Sequence, residues 1–177
     1  MQKIKYALLV ILMIVLPSEA NVLGRTFRVS TTIDLSLLSN GEYITITGFG
    51  GGDIRDGRLE FHSLGDVGSN SINTEVRKYN PVSGMVGPIL SDSDATQVSW
   101  SLFSKLDIKI NDLVVSDNMF DMYVDGNLIS VTGDYTGKPT SHGNVLWQVK
   151  SNSSLGNKLK PGDRVEVQGV IMASVIF

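Results

Sequence analysis

Beyond residue 25 the chain alternates apolar and polar residues with a period of two. Gly, Asn, Asp, Ser or Pro interrupts the alternation roughly every eight to twelve residues. No stretch of useful length carries the spacing of an amphipathic helix. The pattern predicts strands over 26–38, 43–49, 58–64, 72–79, 97–103, 106–110, 119–124, 128–132, 145–150 and 164–177. Short strands in that number, without room for crossover helices, predict an all-β protein with an immunoglobulin-like antiparallel β-sandwich. Two turns have a mechanism behind them. Asp125-Gly126, between FDMYV and NLISV, supplies the positive φ that a tight hairpin requires, and Lys160-Pro161-Gly162-Asp163 opens the last strand. Segments 48–53 (GFGGGD) and 66–71 (DVGSNS) read as flexible loops, and 81–95 as a long irregular connection.

The two outermost strands stand apart from the rest. In the first, Phe27, Val29, Thr31, Ile33, Leu35 and Leu37 alternate with Thr26, Arg28, Ser30, Thr32, Asp34 and Ser36. Alternation alone is satisfied by an ordinary first strand lying on its own core. In the last, Val165, Val167, Gly169, Ile171, Ala173, Val175 and Phe177 fall on one face, while Val170, Met172 and Ile176 make the other face apolar too. That composition predicts a strand buried on both faces. Such a strand needs neighbours on both edges, because a bare apolar ladder seeds aggregation. A first strand from an adjacent subunit would supply one by strand addition.

Composition narrows the class of protein. The 177 residues are 42% hydrophobic and 19% charged, with a formal net charge of -3 and no basic tract. This excludes both intrinsic disorder and an electrostatic nucleic-acid binder, and the length suits one domain. Residues 1–20 read as a secretory signal peptide: Lys3 and Lys5 precede the apolar run ALLVILMIVL, and Pro17-Ser18-Glu19-Ala20 ends in small residues. A stable membrane-spanning helix needs about 20 apolar residues, more than this run contains, and the alternative is a single-span anchor that keeps Asn21 onward outside. There is no cysteine, hence no disulfide framework, thiol nucleophile or thiolate metal site. An exported domain without disulfides relies on packing or on partners.

Thr26-Phe27-Arg28-Val29-Ser30-Thr31-Thr32-Ile33-Asp34, followed by Leu37-Leu38, resembles the donor-strand extension of pilins from enterobacterial colonisation-factor fimbriae, assembled by the alternate chaperone-usher pathway. Pro161-Gly162-Asp163-Arg164-Val165 and the Val/Gly/Ile/Ala alternation after it are similar to the final strand of fimbrial subunits. Arg28 and the glycine-rich middle depart from the pattern. The resemblance implies an incomplete sandwich completed by a donor strand. Residues 1–20 would be the signal peptide, 21–38 the donor-strand extension and 39–177 the pilin domain. Phe27, Val29, Thr31 and Ile33 would be the donor residues, and Val165, Val167, Ile171, Val175 and Phe177 would line the acceptor groove. The implied partners are identical or related pilin subunits in a head-to-tail polymer, a periplasmic chaperone, an outer-membrane usher and a host receptor. The implied location is a fimbrium at the cell surface. Buried side chains of the donor type contribute roughly 1.5 to 3 kcal/mol each, enough with a backbone ladder to join subunits without a covalent link. The alternative is a monomeric exported immunoglobulin-like binding module whose N-terminal strand completes its own fold.

The remaining motifs point to no catalytic residue, metal site or cofactor. The glycine run 48–53 lacks the helix and Gly-Lys-Ser/Thr of a phosphate loop. Asp92, Ser93, Asp94 and Asp117 carry oxygen ligands without a calcium-loop spacing. His62 and His142 lack ligand spacing and a nucleophile-elbow motif, so both read as surface residues. Asn152-Ser153-Ser154 fits a glycosylation acceptor. Trp100 and Trp147, on alternating strands, read as core residues, with receptor contact through an exposed aromatic as the other reading.

Overall fold

The structure is a computed structural model that describes residues 25–33, 43–62, 65–155, 158–160 and 162–177. The expected signal peptide lies outside the described residues, as do 21–24 and 34–38 of the expected donor extension. Among the described residues fourteen strands follow one another: β1 Arg25–Ile33, β2 Tyr43–Thr47, β3 Leu59–Phe61, β4 Val67–Ser69, β5 Ile72–Asn80, β6 Met85–Ile89, β7 Gln97–Leu102, β8 Asp107–Ile110, β9 Leu113–Val115, β10 Phe120–Val124, β11 Asn127–Ile129, β12 Asp134–Gly137, β13 Asn144–Ser151 and β14 Val165–Ile176. A single helical turn, α1 Pro139–His142, precedes β13. The strands form a six-stranded and an eight-stranded sheet, an all-β sandwich as the alternation predicts.

In the first sheet β14 is central. β8 pairs with its first part and β7 with its second, β12 lies outside β7 and β9 outside β8. In the second sheet the order β11-β10-β13 continues into β4 and β5, which carry β3 and β2 beyond them; β6 pairs with the end of β5. Inward residues of both sheets meet in one core around Trp100 and Trp147. The two indoles are fully buried and pack edge to face, with ring centroids 5.9 Å apart. Each ring N–H is satisfied: Trp100 Nε1 donates to the His142 carbonyl (2.7 Å) and Trp147 Nε1 to Thr74 Oγ1 (2.9 Å). Both tryptophans are therefore core residues.

The predicted turns hold. Asp125 and Gly126 have φ of 46° and 80°, which closes the β10–β11 hairpin in two residues. Asp163 N donates to the Lys160 carbonyl (3.0 Å) with Gly162 at φ 94°. The Asp163 carboxylate lies below its ordinary range because it accepts from Lys160 N–H and, second, from Asn111 Nδ2.

Four strands were not predicted. β4 lies inside the expected loop 66–71 and is too short to show alternation. β6 lies inside the expected irregular connection and contains Gly87 and Pro88, which it tolerates because it pairs only with β5. β9 returns from β8 through Asn111 and Asp112, both left-handed at φ 52° and 65°, a two-residue turn with no glycine to announce it. β12, Asp-Tyr-Thr-Gly, is a polar edge strand. Among the described residues the ladders are antiparallel, as the pattern predicts, with the exception of β1 on β14, which is parallel.

Candidate functional site: the β14 edge

Along β14 the residues alternate strictly. Val165, Val167, Gly169, Ile171, Ala173 and Val175 are buried, the intervening residues are half-buried, and Ile176 is 51% exposed. This corrects the expectation of a strand buried on both faces. Val170 and Met172 belong to an outer row that is only half covered, so apolar composition overstated the burial of that face. Four of the five expected groove residues, Val165, Val167, Ile171 and Val175, are in the core, and Phe177 is partly buried against it.

The register fixes which edge each neighbour holds. β8 pairs with Val165–Gln168 and β7 with Ile171–Ile176, while β1 pairs with the span from Val165 to Ala173. A residue of β14 bonded to two strands has one on each side, so β7 and β8 share one edge and β1 holds the other. Along nine residues β1 pairs with no described strand but β14. It lies at the margin of the sandwich, near β2 and β3 of the second sheet. Removing it would leave a ladder of β14 backbone groups unpaired.

Within that ladder the register places Phe27 level with Val167, Val29 with Gly169, Thr31 with Ile171 and Ile33 with Ala173. The expected donor residues are thus matched one for one to buried positions of β14. Thr26, Arg28, Ser30 and Thr32 are level with the half-buried row Glu166, Gln168, Val170 and Met172.

Gly169, opposite Val29, is the gap in the buried row. A Cβ there would lie 2.5 Å from Met122 Cε and 3.1 Å from Leu106 Cδ2. Met122 comes from β10 of the facing sheet and Leu106 from the β7–β8 link, so the strand is kept thin where two side chains cross beneath it. Sequence reasoning counted Gly169 in the row without assigning it a role. The available signal was a lone glycine inside an apolar strand, which marks a close approach.

No family model, curated protein or solved structure matches this chain. The functional reading therefore rests on the edge and on the chemistry elsewhere in the molecule.

The other polar candidates are engaged in local structure. Asp92 accepts from Thr140 N and Oγ1, both at 3.0 Å, and so ties the 91–95 turn to α1. Asp94 accepts from Lys78 and Ser91, which hold its carboxyl down at about 2. Asp117 lies 3.9 Å from Lys158 on the surface. Among the described residues no group of acidic and histidine side chains could hold a metal ion. His62 is exposed. His142 is half-buried, a correction to its surface reading: its ring lies 4.4 Å from that of Tyr135, and Nδ1 is 2.8 Å from Ser141 Oγ. The Tyr135 hydroxyl is pushed above its ordinary value by burial and, second, by the Asp125 carboxylate.

Proposed function

We propose that the chain is an exported fimbrial subunit that polymerises by donor-strand exchange into a surface filament used in adhesion to host cells. The observation that carries this reading is the seat of β1, an edge strand tied to β14 alone, whose alternating residues match the buried row of β14 position by position. Its parallel pairing supports exchange, because a parallel ladder is slightly less stable per residue than an antiparallel one. A strand from another copy entering antiparallel would complete the same edge with a better ladder. Donor and acceptor surfaces differ, so the contact runs head to tail and grows a filament instead of closing a ring. In this scheme a periplasmic chaperone covers the β14 edge before assembly, and an outer-membrane usher is where an incoming strand takes its place.

A second reading is favoured by one specific feature: β1 occupies the edge of its own chain. In that reading the protein is a monomeric exported binding module whose N-terminal strand completes its own sandwich. Three variants separate the two: residues 21–177, the same chain lacking 21–37, and that shortened chain with the segment appended by a flexible linker after Phe177. The appended strand folds back antiparallel to β14, the geometry an incoming strand would use. Donor-strand exchange predicts that the first variant polymerises, aggregates or is degraded without a chaperone, while the third is a stable monomer. A stable monomer from the first, together with loss of folding in the third, would establish the second reading.

A further inference from the structure

We infer that the cleft between the 48–53 loop and the start of β5 is a binding site for an uncharged saccharide. This inference is independent of how subunits join. The cleft has a volume of about 470 Å³ and is lined by Phe49, Asp53, Arg55 and Asp56 on one side and by Asn70 and Asn73 on the other. That volume lies within the range of small-ligand sites, roughly 300 to 1,000 Å³.

The loop is built and anchored. Gly48 N donates to the Gly52 carbonyl (2.7 Å), and a Cβ on Gly48 would lie 2.2 Å from the Asp53 carbonyl oxygen. Gly50 and Gly51 have φ of 70° and 84°, a region that side chains disfavour. Gly51 N donates to Glu75 Oε2 (3.3 Å), and that carboxylate is buried and pairs with Arg77 Nε at 2.7 Å. Arg77 Nη1 in turn donates to the Gly87 carbonyl (2.9 Å), locking β6 to the same anchor. Burying a carboxylate costs several kcal/mol of desolvation that its partners only partly offset. Here the buried carboxylate fixes a loop whose phenylalanine is left in water: Phe49 is 79% exposed. Folding gains nothing from that placement, since a buried phenylalanine would contribute roughly 1.5 to 3 kcal/mol.

The lining also has unused hydrogen-bonding capacity. Asn73 Nδ2 donates to Asn144 Oδ1 (2.7 Å), but the buried Asn73 Oδ1 has no partner. Reversing both amides keeps that bond and merely leaves the nitrogen of Asn73 unpaired instead.

These groups select one ligand chemistry. An exposed aromatic face suits the C–H face of a pyranose ring, and carboxylates and amides pair with adjacent hydroxyls. Asp53 and Arg55 bring opposite charges to the cleft, so it favours neither an anion nor a cation, which leaves an uncharged polyol. The test is saturation-transfer NMR on the purified chain with methyl β-galactoside, methyl α-mannoside and methyl N-acetyl-β-glucosaminide, each at millimolar concentration, alongside a sialoside. Transfer to ring C–H protons of at least one uncharged glycoside is expected. Phe49→Ala should weaken that affinity roughly tenfold, the range of one lost aromatic contact, and Asp53→Asn should weaken it with the far-ultraviolet spectrum unchanged. Both residues are exposed, so neither variant endangers the fold. Absence of transfer to every uncharged glycoside, binding of the sialoside alone, or binding indifferent to Phe49→Ala would overturn the inference.

Discussion

At Gly169 the backbone of β14 passes over Met122 and Leu106 with no space for a side chain. Gly169→Ala should be mild, because the atoms in the way are the far ends of flexible side chains. Gly169→Val should cost about 1 to 3 kcal/mol, the usual range for overpacking, measured by urea unfolding of the chain in a single folded form. Equal stability of Gly169→Val and the parent would show that the gap is not a packing requirement. Asp94 gives a prediction in pH. Lys78, and then Ser91, depress its carboxyl from 3.8 to about 2 in the folded chain. A depressed carboxyl stabilises the fold above its unfolded value, and this contribution is lost as pH falls from about 4 toward 2. Unfolding free energy should therefore drop across that window, and Asp94→Asn should remove part of the slope. Because the Lys78 side chain is 45% exposed, salt should shrink the effect. A slope unaltered by the substitution would place the acid dependence elsewhere.

Among the strands, β1 is the one whose role can be tested by its register. Val29→Asp and Ile33→Asp put a charge in the alternating row of β1 that lies level with the buried row of β14. Filament yield should fall to background in both variants, while the complex with a chaperone, which needs only the β14 edge, persists. Filaments at parental yield would exclude these residues as donors. Alternation made the strands with a long buried row legible, namely β2, β5, β7, β10, β13 and β14, because one covered face imposes period two on the sequence. It failed for β4, β6, β9 and β12, which are short or lie at edges and owe their pairing to a neighbour more than to a buried face. The match between Phe27, Val29, Thr31, Ile33 and the buried row of β14 was half legible: each strand showed its face, but neither showed that they run parallel or at what offset. The 48–53 segment reads in the sequence as a flexible loop, because nothing local to GFGGGD reveals that Glu75, on a different strand, holds it.

At the scale of the whole molecule, one margin of the sandwich depends on β1. The core around Trp100 and Trp147 is built from strands of both sheets that pair independently of it. The β14 edge, however, has no other described strand to cover it. With no cysteine in the chain, no disulfide holds β1 to that edge. In the proposed assembly the strand that closes one sandwich comes from the next molecule. The most direct test is light scattering coupled to size-exclusion chromatography, applied to residues 21–177 and to the variant with residues 21–37 moved behind Phe177. The account predicts a series of masses at multiples of one subunit for residues 21–177 and a single subunit mass for the variant. A single subunit mass for residues 21–177 at every concentration would contradict it.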